Sequence, residues 1–343
     1  MSINLFYQKH GFYKIKTLYA GAKFVMDKLI GFMFSGQGSQ YYNMGHELYK
    51  GNNIFRKWML RLDKIVIDII GESIVARLYD GEKVFEDKFD RTFYTHPAIF
   101  MLEYSLARVL VENGIEPDFV LGTSLGEFTS AALSEVIGIE ESMELLVKQA
   151  EIIETHCPKG GMLSILHKPE LYYKTAILYE NSELASVNYS SHFVVSGHTE
   201  GLIKIKEFLY SRNIIFQDLP VAYGFHSSLI DPAELPFIDF LTKKTFEPPK
   251  IPFVSGLYAK VITSLSGDYF WKVARQPVNF PRTIYELEKN SKNIYLDLGP
   301  SGTLSNFVKR NIHRESLSQS YHIVTPFGKE NEKLNAIFQL FFK

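Results

Sequence analysis

The chain of 343 residues contains a single cysteine, Cys157. An intramolecular disulfide needs two cysteines, so none can form, and a metal site built from several cysteines is excluded as well. The sequence also lacks an uninterrupted apolar run of the roughly 20 residues that a membrane-spanning helix requires. Neither charge is in excess, since 37 Lys and Arg balance 38 Asp and Glu for a formal net charge of −1. Because nucleic-acid binders carry a surplus of cations, we expect neither a nucleic-acid partner nor a membrane.

The first 28 residues have few features of a targeting signal. They are rich in lysine and contain one acid, Asp27, but they lack the compact apolar core and small-residue cleavage site of a secretory signal. They also lack arginine, which is abundant in mitochondrial presequences. We therefore interpret residues 1–28 as an N-terminal extension and expect a cytoplasmic protein.

Short apolar strands alternate with helical patterns over most of the chain. Residues 30–34 and 119–121 are predicted strands, each followed by helix-forming sequence. Residues 99–112 are predicted to form a long amphipathic helix. This alternation is typical of an α/β domain with a mostly parallel sheet.

The segment at residues 158–222 has a different pattern. It reads as strand, helix, two strands, helix and strand, which is the βαββαβ order of a ferredoxin-like unit. Its predicted first helix covers residues 170–179. We therefore predict a hydrolase-like α/β large domain, 29–157 and 223–325, with a ferredoxin-like small domain inserted at 158–222. We predict that residues 326–343 form a C-terminal tail.

A serine between two glycines is the most informative motif of the chain. Gly122-Thr123-Ser124-Leu125-Gly126 lies between a predicted strand and the helix-forming residues 127–133. This is the pattern of the G-x-S-x-G nucleophile elbow, a tight strand-to-helix turn that exposes the serine. The turn leaves no room for side chains at the glycines, and the following helix N-terminus favours negative charge beside the serine. A serine N-cap flanked by glycines would have the same five residues, so the pentapeptide alone leaves both interpretations open.

Five blocks of the sequence resemble, in order, the motifs of one acyltransferase family. It includes the malonyl-CoA:acyl-carrier-protein transacylases and the acyltransferase domains of polyketide synthases. The blocks are Phe34-Ser35-Gly36-Gln37-Gly38-Ser39-Gln40, Gly122 to Phe128, Asn188, Phe225-His226-Ser227, and Gly299-Pro300-Ser301-Gly302-Thr303-Leu304, in which Ser301 replaces a family glycine. They span about residues 29–325, and their common order makes the resemblance specific.

The resemblance implies a role for several residues. Ser124 is the implied nucleophile and His226 its general base, because a serine hydroxyl is a poor nucleophile until a base accepts its proton. The oxyanion hole maps onto the backbone N–H groups of Gln37 and Leu125. Family enzymes orient the histidine through a main-chain carbonyl, and we expect Asn279 to supply it.

The resemblance also implies the partner. The acyl group would arrive on the phosphopantetheine arm of an acyl carrier protein or as a coenzyme A thioester, so the chain itself would bind no cofactor and no metal. Carrier proteins are acidic, and the basic pairs Lys243-Lys244 and Lys309-Arg310 are candidates for a basic rim. We expect a monomer.

One departure from the family bears on the substrate. Members that transfer malonyl groups hold the malonyl carboxylate with an arginine 25 residues after the nucleophile, where this chain has Gln149. No arginine occurs between Arg108 and Arg212. A neutral amide can hydrogen-bond an acyl oxygen but cannot neutralise a buried carboxylate. The neighbouring Lys148 would point about 100° away around the helix, so we do not expect it to substitute.

Other residues of the expected acyl site also depart from the family. His96 stands where the family usually has glutamine before Pro-Ala, and Thr123 replaces the histidine beside the nucleophile. Together with Asn188 and Phe225 they are predicted to contact the substrate.

These departures favour the acyl-hydrolase branch of trans-acyltransferase polyketide pathways. Its free-standing members clear acyl chains from carrier proteins through an acyl-serine intermediate, a proofreading function. Three alternatives stay open. The nearest is a transacylase of the same fold that loads malonyl or acyl groups onto carrier proteins. The others are a non-catalytic module that binds carrier proteins, and a general α/β-hydrolase esterase, which would not need the motif at residues 36–40.

Overall fold

The computed structural model describes residues 28–85, 87–289 and 291–342. The predicted N-terminal extension therefore lies, except for Lys28, outside the described residues. The strands are β1 (Leu29–Phe34), β2 (Phe119–Gly122), β3 (Gly161–Ile165), β4 (Glu183–Tyr189), β5 (His192–Gly197), β6 (Phe216–Asp218), β7 (Phe253–Ser255), β8 (Lys260–Ile262), β9 (Val278–Asn279), β10 (Asn293–Asp297) and β11 (Gln319–His322).

The helices connect these strands and cover the sheets. They are α1 (His46–Gly51), α2 (Asn53–Ile70), α3 (Ile74–Leu78), α4 (Thr92–Glu112), α5 (Gly126–Leu133), α6 (Ile139–His156), α7 (Glu170–Lys174), α8 (Ala176–Tyr179), α9 (Thr199–Ser211), α10 (Glu234–Leu241), α11 (Tyr269–Arg275), α12 (Phe280–Glu288), α13 (Thr303–Asn311) and α14 (Glu330–Phe342). None of the helices in this described part of the chain combines the length and apolarity needed to cross a bilayer.

The large domain is built on a six-stranded sheet in the order β11-β10-β1-β2-β7-β8. Its neighbouring strands run parallel except for the antiparallel pair β7–β8. Phe32 and Phe34 of β1 belong to the main core, and Met33 belongs to a second core with residues of α12 and α13. A parallel strand covered on both faces is apolar along its whole length. The predicted α/β fold with a mostly parallel sheet is confirmed.

The small domain is built on a second sheet in the order β6-β3-β5-β4-β9. Its first four strands pair antiparallel in the order of a ferredoxin-like unit, which confirms the predicted small antiparallel domain. The predicted helix at 170–179 is instead the two short helices α7 and α8, because the backbone of Thr175 between them is extended. The sheet also gains a fifth strand, β9, from residues that the sequence pattern placed in the large domain.

Helix α4 differs from the amphipathic helix predicted at 99–112. It begins at Thr92 and is buried along almost its full length, because α2, α5 and α6 pack around it. A helix surrounded by others is apolar on all sides. One polar residue in its buried middle, Glu103, belongs to the site described below.

The segment predicted as a C-terminal tail contains helix α14, which packs against α1. The carboxylate of Glu330 accepts hydrogen bonds from the N–H groups of Gly45 and Leu48, at 3.1 and 3.2 Å. In return the carboxylate of Glu47 accepts from the N–H groups of Lys329 and Glu330, at 3.1 and 2.9 Å. Each carboxylate satisfies backbone donors at the start of the other helix. These contacts fix the C-terminal segment to the large domain.

Candidate active site

Ser124 lies in the turn between β2 and α5, with a left-handed φ of 55°. A Cβ atom at Gly122 would lie 2.4 Å from the backbone nitrogen of Glu127, and one at Gly126 would lie 2.1 Å from the carbonyl oxygen of Phe34. Only glycine fits at both positions. A non-glycine residue in this backbone region is strained and persists only where the surrounding fold imposes it. The local sequence therefore forms a nucleophile elbow rather than an ordinary helix cap.

His226 is the partner of Ser124. Its Nε2 atom lies 2.8 Å from the Ser124 hydroxyl oxygen, and its Nδ1 atom lies 2.7 Å from the main-chain carbonyl oxygen of Gln276. A carbonyl oxygen only accepts, so the ring proton is on Nδ1 and the Nε2 lone pair faces Ser124. Burial lowers the pKa of His226 to about 4. The imidazole is consequently neutral at pH 7 and able to accept the serine proton.

The carbonyl that orients His226 is not the one expected from sequence. Asn279 is the N-cap of α12, where its side chain accepts a hydrogen bond from the backbone N–H of Arg282 at 3.2 Å. The orienting carbonyl belongs to Gln276, three residues earlier. Helix α11 ends there and the backbone turns extended, so the Gln276 carbonyl leaves the helix axis and faces the histidine. The prediction of Asn279 was wrong for this reason.

The loop that contains His226 is held from two sides. Its own N–H donates to the carbonyl of Ala274, at 2.9 Å, on the large domain. The hydroxyl of Ser196, on strand β5 of the small domain, donates to the carbonyl of Phe225. The loop of His226 is therefore anchored to both domains, between which a cavity opens.

The loop after β1 passes directly beside Ser124. A Cβ atom at Gly36 would lie 2.9 Å from the Cβ atom of Ser124. The buried carboxyl group of Glu103 accepts hydrogen bonds from the backbone N–H and the hydroxyl of Ser35, at 2.6 and 3.0 Å. Its other oxygen lies 2.9 Å from the hydroxyl oxygen of Thr129. Sequence reasoning missed Glu103, although an acid inside a long apolar run was a signal available there.

The side chain of Gln37 is fixed at both ends of its amide. Its Nε2 atom donates to the hydroxyl of Thr95 at 3.1 Å, and its Oε1 atom lies 2.9 Å from Nε2 of His96. The amide oxygen only accepts, so His96 donates from Nε2. His96 is fully buried, and this burial lowers its pKa to about 3. A neutral His96 thus holds Gln37 beside Ser124.

A cavity of about 420 Å³ lies between the large domain and the small sheet. It is lined by all of the predicted site residues except Asn279, namely Gln37, His96, Thr123, Ser124, Leu125, Gln149, Asn188, Phe225 and His226. Among the residues that the structure describes, no Lys, Arg, Asp or Glu lines it. Its three histidines, His96, His192 and His226, all have pKa values that burial lowers to about 3 or 4. The wall of the cavity therefore carries no formal charge at pH 7.

Gln149 stands on α6 at the sequence position where malonyl-transferring acyltransferases have an arginine, and its side chain is buried. Among the described residues its Nε2 atom has no hydrogen-bond partner, and neither has the hydroxyl of Thr123, which lines the same cavity. A buried donor without a partner is costly, so both groups favour an acceptor on a bound molecule. The neighbouring Lys148 is exposed and pairs with Glu151 at 2.9 Å.

The two basic pairs proposed for a rim differ in their surroundings. Lys243 and Lys244 form ion pairs with Asp239 and Glu144, at 2.7 and 2.5 Å. Lys309 and Arg310 are exposed in the last turn of α13, a helix that lines the cavity with Thr303, Leu304 and Phe307. Of the two pairs, the second is therefore better placed to meet an acidic partner. In the described ranges, no three His, Cys, Asp or Glu side chains are grouped so that they could hold a metal ion.

Comparison with known proteins places this geometry among acyltransferases. Residues 31–343 match the acyl transferase domain family. The chain is 48% identical over 312 residues to the polyketide biosynthesis acyltransferase homolog PksD of Bacillus subtilis (strain 168), covering 91% of this chain and 96% of that protein. It is 44% identical, with the same coverage, to the homolog BaeD of Bacillus velezensis.

Solved structures share the fold. The acyltransferase domain from the second module of the salinomycin polyketide synthase superposes with a TM-score of 0.81 at 26% identity, covering 93% of this chain and 74% of that one. A malonyl-transacylase solved in complex with a type II polyketide synthase acyl-carrier protein, PlMCAT:AntF, superposes with a TM-score of 0.75 at 20% identity, covering 87% of this chain and 96% of that one. The latter likeness concerns the fold alone.

Proposed function

Because the chain belongs to the acyl transferase domain family, we propose that it is a free-standing acyl hydrolase of polyketide biosynthesis. It would remove neutral acyl groups from acyl carrier proteins through an acyl-serine intermediate. The full-length similarity to polyketide acyltransferase homologs supports the pathway. An acyl carrier protein would be the partner and would carry the phosphopantetheine arm, so this chain would need no cofactor of its own.

The observation that carries the proposal is the uncharged wall of the cavity. A malonyl carboxylate buried beside Gln149 would have no cation to pair with, since the lining histidines are neutral and Lys148 is engaged outside. An unpaired buried charge is strongly unfavourable. A neutral acyl group instead leaves only its hydrocarbon beside Gln149, and an oxygen substituent on the chain, where there is one, can accept from the amide. The site therefore favours acetyl and longer neutral acyl groups over malonyl.

The first half of the proposed reaction transfers the acyl group to the protein. The hydroxyl oxygen of Ser124 attacks the thioester carbon while Nε2 of His226 accepts the hydroxyl proton. The carbonyl of Gln276 stabilises the resulting imidazolium through Nδ1–H. Backbone N–H groups of Gln37 and Leu125 would hold the oxyanion, and one such donor typically contributes about 3 kcal/mol. His226 then returns the proton to the leaving sulfur, which departs as a thiol.

The second half consumes water. A water molecule attacks the acyl-serine ester, and Nε2 of His226 accepts one of its protons. Collapse of the tetrahedral intermediate releases the carboxylic acid, and the proton returns to the oxygen of Ser124. No ionic clamp holds the acyl group or closes the site behind it, so water can reach the ester before a second thiol arrives.

The test uses carrier proteins that bear acetyl, longer acyl or malonyl groups. Each is incubated with the wild-type protein and with Ser124→Ala, and the intact mass of the carrier is followed. We expect serine-dependent loss of the neutral acyl groups, with the malonyl carrier unchanged. Stable acyl carriers together with transfer of malonyl from coenzyme A would identify a loading transacylase instead. Failure of a fluorophosphonate to label Ser124 would indicate a non-catalytic binding module.

A further inference from the structure

A second serine–histidine pair faces the same cavity from the small domain. The hydroxyl oxygen of Ser164, on β3, lies 2.6 Å from Nε2 of His192, on β5. Side chains alternate along a strand, so Met162 and Ser164 line the cavity while Leu163 and Ile165 pack beneath the helices of the small domain. The pair is therefore part of the cavity wall.

The ring proton of His192 is on the nitrogen opposite to that of His226. The Nδ1 atom of His192 lies 3.3 Å from Nδ2 of Asn188. An amide nitrogen only donates, so Nδ1 of His192 accepts and its Nε2 carries the proton. This Nε2–H donates to the oxygen of Ser164. His192 consequently cannot accept the proton of Ser164. Without a base, Ser164 is not a second nucleophile.

Two rings hold His192 in this orientation. The ring centroids of Tyr189 and Phe307 lie 5.1 and 5.4 Å from that of the histidine. Phe307 belongs to α13 of the large domain, so the histidine is packed between the two domains. Burial lowers the pKa of His192 to about 4, which keeps the ring neutral and the direction of its hydrogen bonds fixed.

We propose that Ser164 binds the substrate by donating its hydroxyl proton to an oxygen that lies away from the reacting thioester. Its oxygen accepts from His192, so its own O–H is left to point into the cavity. Donation from Asn188 through His192 to Ser164 polarises this hydroxyl. The acceptor is either an amide carbonyl of the pantetheine arm or an oxygen at position 3 of the acyl chain. The inference rests on the proposed function, since it takes the substrate to be a thioester that acylates Ser124.

Four thioesters distinguish the two sources of the oxygen. They combine a butanoyl or a 3-hydroxybutanoyl group with pantetheine or with ethanethiol, which has no amide. The rate of Ser124 acylation is measured by rapid-quench intact-mass spectrometry for the wild-type protein and for Ser164→Ala. We expect a loss of about 3- to 10-fold, the effect of one neutral hydrogen bond, only with the substrates that carry the contacted oxygen. A loss with both pantetheine thioesters identifies the pantetheine amide as the acceptor. A loss with both 3-hydroxybutanoyl thioesters identifies the acyl oxygen.

Equal losses with all four thioesters, or no loss with any, would overturn the proposal. Because the readout is acylation and not hydrolysis, it is informative even if the acyl-enzyme is stable. Failure of the proposed hydrolase function is thus distinguished from failure of this inference. Ser186→Ala is the matched control, since Ser186 lines the same cavity from β4, which pairs with the strand of His192, and it has no histidine partner in the hydrogen bonds of the described residues. It should show no preference among the substrates.

The direction of the hydrogen bonds is tested independently in the wild-type protein. Nitrogen-15 spectra of its histidine rings should show His192 protonated at Nε2 and His226 protonated at Nδ1. In Asn188→Asp the new carboxylate accepts from Nδ1–H, so the His192 proton should move to Nδ1. The same substrate-dependent loss as in Ser164→Ala should follow. A wild-type His192 protonated at Nδ1 would contradict the proposal even if a variant failed to fold.

Discussion

The Nδ1–H group of His226 donates to the main-chain carbonyl of Gln276 over 2.7 Å, and this bond leaves Nε2 as the atom that faces Ser124. Family resemblance places a carbonyl behind the histidine, but a backbone atom has no signature of its own in the sequence. The structure identifies it as the first carbonyl beyond helix α11. The base is therefore oriented by the end of a helix rather than by a carboxylate.

The first prediction concerns the pH dependence of acylation. Burial lowers the pKa of His226 to about 4 from its ordinary value of 6.5, so the base form persists through the mildly acidic range. We expect kcat/KM for a neutral thioester to be nearly constant from pH 7 down to about 5 and to fall as the pH approaches 4. The measurement is the rate of Ser124 acylation against pH. A decline centred near pH 6.5 would show that the imidazole is not desolvated in the free protein.

The second prediction concerns Gln149. In Gln149→Arg a guanidinium enters the uncharged cavity, where a charged hydrogen bond is worth about 1.5–3 kcal/mol, or roughly 10- to 100-fold in rate. We expect acylation of Ser124 by malonyl-CoA to rise by that factor while acylation by acetyl-CoA falls.

Gln149→Leu is the matched control for size, because it removes the amide without adding a charge. It should gain no malonyl acylation. Rapid malonyl acylation of the wild-type protein, or none in the arginine variant, would contradict the assignment of Gln149 as the residue that selects neutral acyl groups.

Local sequence and the family resemblance together were enough to predict the elbow and the absence of an arginine clamp. The spacing of Gly122, Ser124 and Gly126 is compatible with an elbow and with a serine N-cap, and the order of the five family motifs favoured the elbow. The two sheets could be predicted because strands alternate with helices in the large domain, whereas residues 158–222 have the order strand, helix, two strands, helix and strand. The assignment of Gln149 comes from the resemblance, because the interval of 25 residues after the nucleophile is that of the family's arginine.

Contacts between distant elements could not be predicted in this way. Glu103 and Ser35 are 68 residues apart in the chain, and nothing in the pattern of either segment indicates the other. The same holds for Ser164 and His192, which meet because β3 and β5 are neighbours in the small sheet. The sequence around Glu103 does show an acid among apolar residues, but its partner is set by tertiary packing.

The third prediction concerns Glu103, which positions the loop beside Ser124. In Glu103→Gln the amide oxygen can still accept from Ser35, and the amide nitrogen can donate to Thr129. Glu103→Ala leaves the N–H and hydroxyl of Ser35 and the hydroxyl of Thr129 without this partner, at about 1–3 kcal/mol for each group. We expect a large loss of stability for Ala and a small one for Gln, measured by urea denaturation. Similar losses in both variants would mean that volume rather than hydrogen bonding determines the effect.

The pH dependence of the Glu103→Gln variant provides a further check. Burial raises the pKa of Glu103 to about 8 from its ordinary value of 4.5, so the folded state binds a proton that the unfolded state has released. This contribution to stability is complete below about pH 4.5 and is lost as the pH rises through 8. The free energy of unfolding of the wild type minus that of the variant should therefore decrease from pH 5.5 to 8.5. A constant difference would show that Glu103 is ionised in the fold at all of these values.

The fourth prediction concerns His96, which donates to the side chain of Gln37. Gln37 is also the proposed source of an oxyanion N–H, and removal of one such donor typically lowers kcat by about 100- to 1000-fold. Loss of His96 loosens this residue without removing its N–H, so His96→Ala should lower kcat by about tenfold with a smaller change in KM. His96→Gln should retain most activity, because an amide nitrogen can make the same donation.

Thr95→Val tests the other anchor of Gln37, since it removes the oxygen that accepts from Nε2. If both anchors act through Gln37, the double variant His96→Ala with Thr95→Val should lose less than the product of the two single effects. Independent effects would place His96 in contact with the acyl group instead, where its substitution would change KM among acyl chains rather than kcat. Whether His96→Ala changes mainly kcat or mainly KM therefore decides whether His96 positions the oxyanion loop or selects the substrate.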